Sequence, residues 1–201
     1  MLEADSIRLF RAGRALLSGI YLRVEKGKPV ALLGTSGSGK TSLLLIIYGL
    51  LRCEGLIRID GIPQPALFRK PERLRFLPQA SMTPKSLRVK TVLAHFGIPE
   101  KAFTADFPEF LPLLTNRFAQ LSGGEQRIVE LYCLLRQQSP YLLLDEPFRG
   151  MSPVMVERFG AIVTAESRSK GILFTDHQPE RAQQLADTIW TLRDGHLTRE
   201  K

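Results

Sequence analysis

Between an apolar strand, Val30-Ala31-Leu32-Leu33, and an apolar helical run, Thr41–Tyr48, lies Gly34-Thr35-Ser36-Gly37-Ser38-Gly39-Lys40-Thr41, which fits the pattern G-x-x-x-x-G-K-[ST]. A strand, a glycine-rich turn and a helix in this order constrain the chain to an α/β fold with a phosphate cradle at a helix N-terminus. Backbone N–H groups of such a turn point inward, and the helix adds its positive dipole end. Lys40 is placed to reach β- and γ-phosphates, and the Thr41 hydroxyl to ligate Mg²⁺. Glycine is needed because the backbone must approach the phosphate closely.

A chain of 201 residues is long enough for one well-buried core and short for two. Its 44% hydrophobic and 24% charged residues are those of an ordinary globular domain. No apolar run approaches the roughly 18 residues of a membrane span, since Leu43–Leu51 is short and interrupted by Gly49. Met1-Leu2-Glu3-Ala4-Asp5 carries acid where a leader would carry base, so a cytoplasmic chain is expected. Cys53 and Cys133 are isolated and read as reduced thiols rather than a metal or redox pair. The net charge of +8 is spread along the chain without interleaved aromatics, which reads as a solvated basic face.

Strands are expected at Ile7–Phe10, Tyr21–Val24, Val30–Leu33, Leu56–Ile59 and Leu74–Leu77, with turns at Glu25–Lys28 and Asp60-Gly61. From Gln79 to Leu121 the pattern becomes proline-interrupted and helical, over Lys85–Phe96, Glu100–Phe103 and Phe107–Leu114. Beyond it are expected a helix from Glu125 to Gln137, a strand Tyr141–Leu144, a helix Val154–Ser167, a strand Ile172–Thr175, a helix Glu180–Leu185 and a last strand Thr188–Leu192 carrying Trp190 as a packing residue.

Leu121-Ser122-Gly123-Gly124-Glu125-Gln126 opens the Glu125 helix, and Ser122 with Glu125 has the spacing of a capping box. Capping leaves Gly123-Gly124 unexplained, since each glycine costs a helix about 1 kcal/mol relative to alanine. Bare N–H groups at a helix start suit a phosphate. Tyr141-Leu142-Leu143-Leu144-Asp145-Glu146 is an apolar strand ending in two acids, at the carboxyl edge where α/β sheets bind ligands. Asp145 is expected to hold Mg²⁺, directly or through water, and Glu146 to orient or deprotonate the water that attacks a γ-phosphate.

The order and spacing of these motifs resemble the nucleotide-binding ATPase subunit of ABC transporters, and the similarity runs over essentially the whole chain. Gly34–Thr41 resembles the Walker A motif, Leu121–Gln126 the ABC signature, and Leu142–Glu146 the Walker B motif with its adjoining glutamate. Gln79, in Phe76-Leu77-Pro78-Gln79, resembles the Q-loop glutamine that touches Mg²⁺ and relays the nucleotide state to a membrane partner. His177, in Phe174-Thr175-Asp176-His177, resembles the switch histidine at the γ-phosphate, although by itself a histidine after a strand is an ordinary surface residue.

The resemblance implies an α/β P-loop NTPase (RecA-like) with a parallel-sheet core, an N-terminal antiparallel β part and a short helical subdomain. It divides one domain, 1–201, into a nucleotide-binding core (1–79 and 121–201) and helices at about 80–120. ATP would contact Gly34 through Ser42, with Thr35, Ser36, Gly37, Ser38, Gly39, Lys40 and Thr41 between them, and Ser122, Gly123, Gly124 and Glu125 of a second subunit packed head to tail. Mg²⁺ would be held by Thr41, Gln79 and Asp145, and catalysis carried by Lys40, Gln79, Glu146 and His177. The partners implied are an identical or related ATPase subunit and a separate transmembrane permease docked near Gln79, with the chain peripheral on the cytoplasmic face and no direct nucleic-acid contact. Two alternatives remain: a soluble ABC-type ATPase acting on nucleic acid or ribosomes, motivated by the basic charge, and a binding-only regulatory cassette.

The second alternative is motivated by Gly150-Met151-Ser152-Pro153, which places Ser152 where the family's D-loop has aspartate. That stretch is similar to branched-chain amino-acid importer ATPases, whereas Phe148 after Asp-Glu-Pro and the order Thr-Asp-His are similar to lipopolysaccharide-export ATPases, so transport direction stays open. Phe10 stands about where the family stacks an aromatic on adenine, the other reading being a core phenylalanine at a strand end. Arg149 reads as a solvated loop arginine or a dimer contact. Little is expected after His177 beyond one helix and a closing strand, with no regulatory domain.

Overall fold

Alternation along three buried parallel strands sets up the layers of this protein. The structure, a computed structural model, describes residues 1–11 and 13–200. Strands β1 (Leu2–Arg11), β2 (Arg14–Val24), β4 (Glu54–Ile59) and β5 (Ile62–Pro63) form an antiparallel sheet in the order β2-β1-β4-β5. Strands β3 (Val30–Leu33), β6 (Leu74–Leu77), β7 (Tyr141–Leu144), β8 (Gly171–Thr175), β9 (Thr188–Arg193) and β10 (His196–Arg199) form a second in the order β10-β9-β3-β8-β7-β6, parallel throughout except for β10. Val30, Leu32, Tyr141, Leu143 and Leu173 face one apolar cluster, with Leu43, Leu44 and Ile47 of helix α1 (Lys40–Tyr48) and Leu2, Ile7 and Ile20 of the antiparallel sheet. Their neighbours Ala31, Leu33, Leu142, Leu144, Ile172 and Phe174 face a second cluster, covered by helices α4 (Gly123–Leu135) and α5 (Pro153–Ser167). Successive side chains leave a strand on opposite faces, so strands apolar at every position are the ones a sheet covered on both sides requires.

That topology brings the carboxyl ends of β3, β6, β7 and β8 to one edge, followed by Gly34, Pro78, Asp145 and Asp176. The N-terminal strands are longer than the pattern predicts. Ser6, at φ 56°, interrupts β1 where its register against β2 shifts, so Leu2 and Ala4 point inward in one phase and Ile7 in another. A bulge of this kind hides a strand from a period-2 search. The predicted helix over Lys85–Phe96 begins only at Val89 (α2, Val89–His95), because residues 85–89 bond to residues 116–119, with Phe118 N–H donating to Leu87 O at 2.7 Å. Phe107–Leu114 contains a 3₁₀ turn at Pro108–Leu113. Thr188–Leu192 is not the last strand: β10 follows through Asp194-Gly195, both at positive φ. Asp-Gly between strand-forming residues is a hairpin signal that the sequence reading passed over.

The helices α2, α3 (Glu100–Asp106) and the 3₁₀ turn share the cluster beneath α4 and α5. Phe107 has its ring centroid 4.9 Å from Phe159 of α5 and 5.7 Å from Tyr132 of α4. Phe103 lies 5.0 Å from Tyr132. Cys133 is buried, which pushes its thiol up to about 12, and Cys53 is partly buried, so both are held as thiols. Helix α6 (Pro179–Leu185) packs beside β3. No helix among the described residues is long and apolar enough to cross a membrane.

Because Phe107 is wholly buried among aromatic partners, Phe107→Ala should cost about 3–5 kcal/mol of unfolding free energy, read from the urea midpoint. A loss below about 1 kcal/mol would mean that these rings do not anchor the helices to α4 and α5.

Candidate functional site

Two positions show why the turn after β3 is written in glycine. A Cβ on Gly34, at φ 148°, would stand 2.6 Å from Leu192 O and 2.7 Å from Ser38 Oγ, and Gly39 enters α1 from the left-handed region at φ 107°. Above the turn lies a cavity of about 850 Å³, lined by Gly34–Ser38, Ala15 and Leu16 of β2, and Thr191–Gly195 of the β9–β10 hairpin. This is the size of small-ligand sites. Lys40 is only 7% exposed, and its ammonium donates to Gly34 O at 2.6 Å and Thr35 O at 2.9 Å. Burial lowers its pKa, while Glu146, Asp145 and Asp176 favour the charged form. Those two carbonyls occupy the donors that phosphate oxygens would take. Ser38 Oγ is buried without a hydrogen-bond partner among the described residues.

Asp145, 2% exposed, accepts from two hydroxyls: Thr41 Oγ1 at 2.8 Å on one oxygen and Thr175 Oγ1 at 2.7 Å on the other. The Glu146 N–H donates to the same Thr175 hydroxyl at 2.8 Å. Glu146 is itself at φ 46°, a left-handed conformation that side chains with a Cβ rarely adopt. Its carboxylate accepts from Gln79 Nε2 at 3.0 Å and lies 3.8 Å from Arg149, which is otherwise exposed. Beneath this loop, Arg127 of α4 donates from Nη1 to Pro78 O (2.5 Å), from Nε to Pro147 O (3.3 Å), and from Nη2 to Glu146 O (3.2 Å) and Asp145 O. Burial lowers the pKa of that guanidinium, opposed by Glu130, Asp145 and Glu146.

The Ser122–Glu125 capping box forms as expected, with Ser122 N–H donating to Glu125 Oε2 at 2.7 Å and Glu125 N–H to Ser122 Oγ at 3.3 Å. Gly124 has a structural cause that the sequence reading missed: a Cβ there would sit 2.3 Å from Gly150 O. Gly123 faces open space. Ser122, Gly123 and Gly124 line a different cavity, about 560 Å³, with Gln79, Ser81, Arg149 and Gly150.

Gly34–Thr41, Gln79, Asp145 and Glu146 are therefore linked by contacts within one chain, whereas Ser122, Gly123 and Gly124 line a second cavity that Gln79 also borders. His177 stands apart: its side chain is 56% exposed, its N–H donates to Asp176 Oδ1 at 2.7 Å, and Asp176 also receives Arg181 at 3.1 Å. Phe10 does not line the large cavity. It is 62% exposed, paired in register with Ala15, which does line it, and this exposure removes the core reading. Ser42 is half-buried on the first turn of α1. Ser152 caps α5, accepting from Met155 N–H at 3.4 Å. Aspartate and serine are equally good N-caps, so the departure keeps that local structure. The sequence alone gives Thr175, Arg127 and Arg181 no role in the site, and the register Leu144↔Phe174, which sets Thr175 beside Asp145, is the signal for the first.

Among the described residues no group of three His, Cys, Asp or Glu side chains suits a metal. The donors at Thr41 and Asp145 are hard oxygens converging within 2.8 Å of one another, which fits Mg²⁺ bound through one carboxylate, one hydroxyl and phosphate oxygens.

The sequence matches the family described as "ABC transporter" over residues 17–149. A probable ABC transporter ATP-binding protein of Azorhizobium caulinodans is 31% identical over 206 residues, 94% of this chain and 72% of the relative. The lipopolysaccharide export system ATP-binding protein of Haemophilus influenzae is 29% identical, covering 98% of this chain and 88% of that protein. Among solved structures, an ATP-binding subunit of an ABC transporter superposes with TM-score 0.83 at 23% identity, over 100% of this chain and 90% of that one. A dimeric ATP-binding cassette in a post-hydrolysis state with ADP and phosphate gives TM-score 0.82 at 21% identity, over 100% and 98%.

The two signature glycines should part company on substitution. Gly124→Ala must displace Gly150 and should cost about 1–3 kcal/mol in urea unfolding. Gly123→Ala has room and should leave stability level or raise it by up to about 1 kcal/mol. Equal effects would show that the Gly150 loop yields freely.

Proposed function

The chain belongs to the ABC transporter family as an ATP-binding domain of the P-loop α/β class, and from that premise we propose that it hydrolyses MgATP to drive a separate membrane permease. The observation that carries this reading is the contact set at one sheet edge, where Asp145 joins Thr41 to Thr175 and Glu146 meets Gln79. In the proposed reaction ATP lies over Gly34–Ser42 and Lys40 leaves the loop carbonyls for the β- and γ-phosphates. Glu146 orients or deprotonates a water in line with the γ-phosphorus. Gln79, tied to Glu146 through its amide nitrogen, offers its amide oxygen as a third metal donor beside Thr41 and Asp145. A magnesium ion held there would neutralise charge developing on the phosphates.

His177 would close on the γ-phosphate from its exposed position, and Phe10 would stack on adenine at the cavity mouth. The second cavity, lined by Ser122, Gly123 and Gly124, supports a composite site in which a second copy, or a related subunit, presents these residues and Glu125 to this chain's nucleotide. We assign the nucleotide-binding core to 1–79 and 121–201 and the permease-facing helices to 80–120, with the chain peripheral on the cytoplasmic face of a membrane. Helices α2 and α3, seven residues each, are too short for the coiled-coil insertion typical of ABC-type proteins on nucleic acid. As the N-cap of α5, Ser152 keeps the local structure aspartate would give, which favours an active cassette over a silent one.

Mg²⁺-dependent phosphate release by the purified chain should rise faster than linearly with protein concentration, and Glu146→Gln should lower it by at least about 100-fold while ATP still binds. Hydrolysis by the Gln variant at the wild-type rate would overturn the assignment of Glu146.

A further inference from the structure

Glu146 carries a Cβ at φ 46°, a region that chirality disfavours, so something must hold it there. Thr175 accepts its N–H, and the rest comes from one side chain. The Arg127 guanidinium takes the carbonyls of Asp145, Glu146 and Pro147, three residues in succession, together with that of Pro78, the residue before Gln79. In an extended strand successive carbonyls point to opposite sides. Here they converge on one cation because the chain turns at Glu146.

Resting on the reading of Glu146 as the group that activates water, we propose that Arg127 is a positioning residue for hydrolysis: its guanidinium holds the Glu146 turn and the Pro78 carbonyl together, and so sets Glu146 against Gln79. An arginine suits the task because its planar fork offers five N–H donors from three nitrogens, whereas lysine brings one nitrogen. Arg127 is 5% exposed, so water does not compete for those donors. One turn along the same helix, buried Glu130 grips the far side of the Gln79 loop, accepting at Oε1 from Ser81 Oγ (2.7 Å), Met82 N–H (3.0 Å) and Thr83 N–H (3.1 Å). Gln79 is thus held from both flanks by α4, and its amide meets Glu146 at 3.0 Å.

A guanidinium that only satisfied buried carbonyls would affect stability and nucleotide binding together. A positioning role separates them. In the full chain, Arg127→Lys and Arg127→Met should keep KM and the Kd for ATP within about twofold while kcat falls by about ten- to a hundredfold, the scale of a misplaced catalytic group. On the Glu146→Gln background the residual rate should not fall further when Arg127→Lys is added, since the side chain being positioned no longer acts. The lysine variant keeps the buried charge and carries the test if the methionine variant does not fold. Wild-type kcat in Arg127→Lys, or an equal loss from it with and without Glu146, would overturn the proposal. Wild-type hydrolysis by Glu146→Gln alone would instead overturn the reading of Glu146 on which it rests.

Discussion

A carboxylate buried at the end of β7 fixes the geometry on which the rest of the site depends. An ionised acid removed from water costs several kcal/mol unless partners replace its hydration. Asp145 finds those partners on two other elements, Thr41 on α1 and Thr175 at the end of β8, one for each oxygen. The P-loop helix therefore cannot slide relative to the central strands without stripping a buried charge. The hydroxyl that anchors Asp145 also receives the Glu146 N–H, so the turn and the anchor share one atom.

The parts of this arrangement that the sequence makes legible are those encoded locally. Gly34–Thr41, the apolar runs Val30–Leu33 and Tyr141–Leu144, and the capping box at Ser122 each specify backbone geometry within a few residues, and each is found where expected. Long-range causes are not legible in this way. Gly124 looks like a residue spared for a ligand until Gly150, far along the chain, is seen against it. Arg127 reads as one more polar residue in a helix, because nothing in its neighbourhood announces four carbonyls from residues 78 and 145–147. The N-terminal strands extend beyond their predicted ends for a different reason: the irregularity at Ser6 reverses the alternation from which strands are read. The closing hairpin is encoded locally, by the turn signal Asp194-Gly195.

Helix α4 joins the second cavity to the turn at Glu146. Its start, Ser122 to Gly124, lines that cavity with Gly150 and Arg149, and the next turns carry Arg127 and Glu130 into the carbonyls and amides around Gln79 and Glu146. A helix transmits displacement along its axis far better than a loop does, since each of its residues is fixed by the hydrogen bonds of its neighbours. In the proposed head-to-tail dimer, a phosphate engaging Ser122 and Gly123 of this chain belongs to the other subunit's nucleotide. Any shift of α4 on that engagement moves the donors that hold this chain's own Glu146 turn. Such a dimer would couple its two nucleotide sites through a short path, from the helix N-terminus to one guanidinium, and left-handed strain at Glu146 would make that turn the element most readily released when the guanidinium moves.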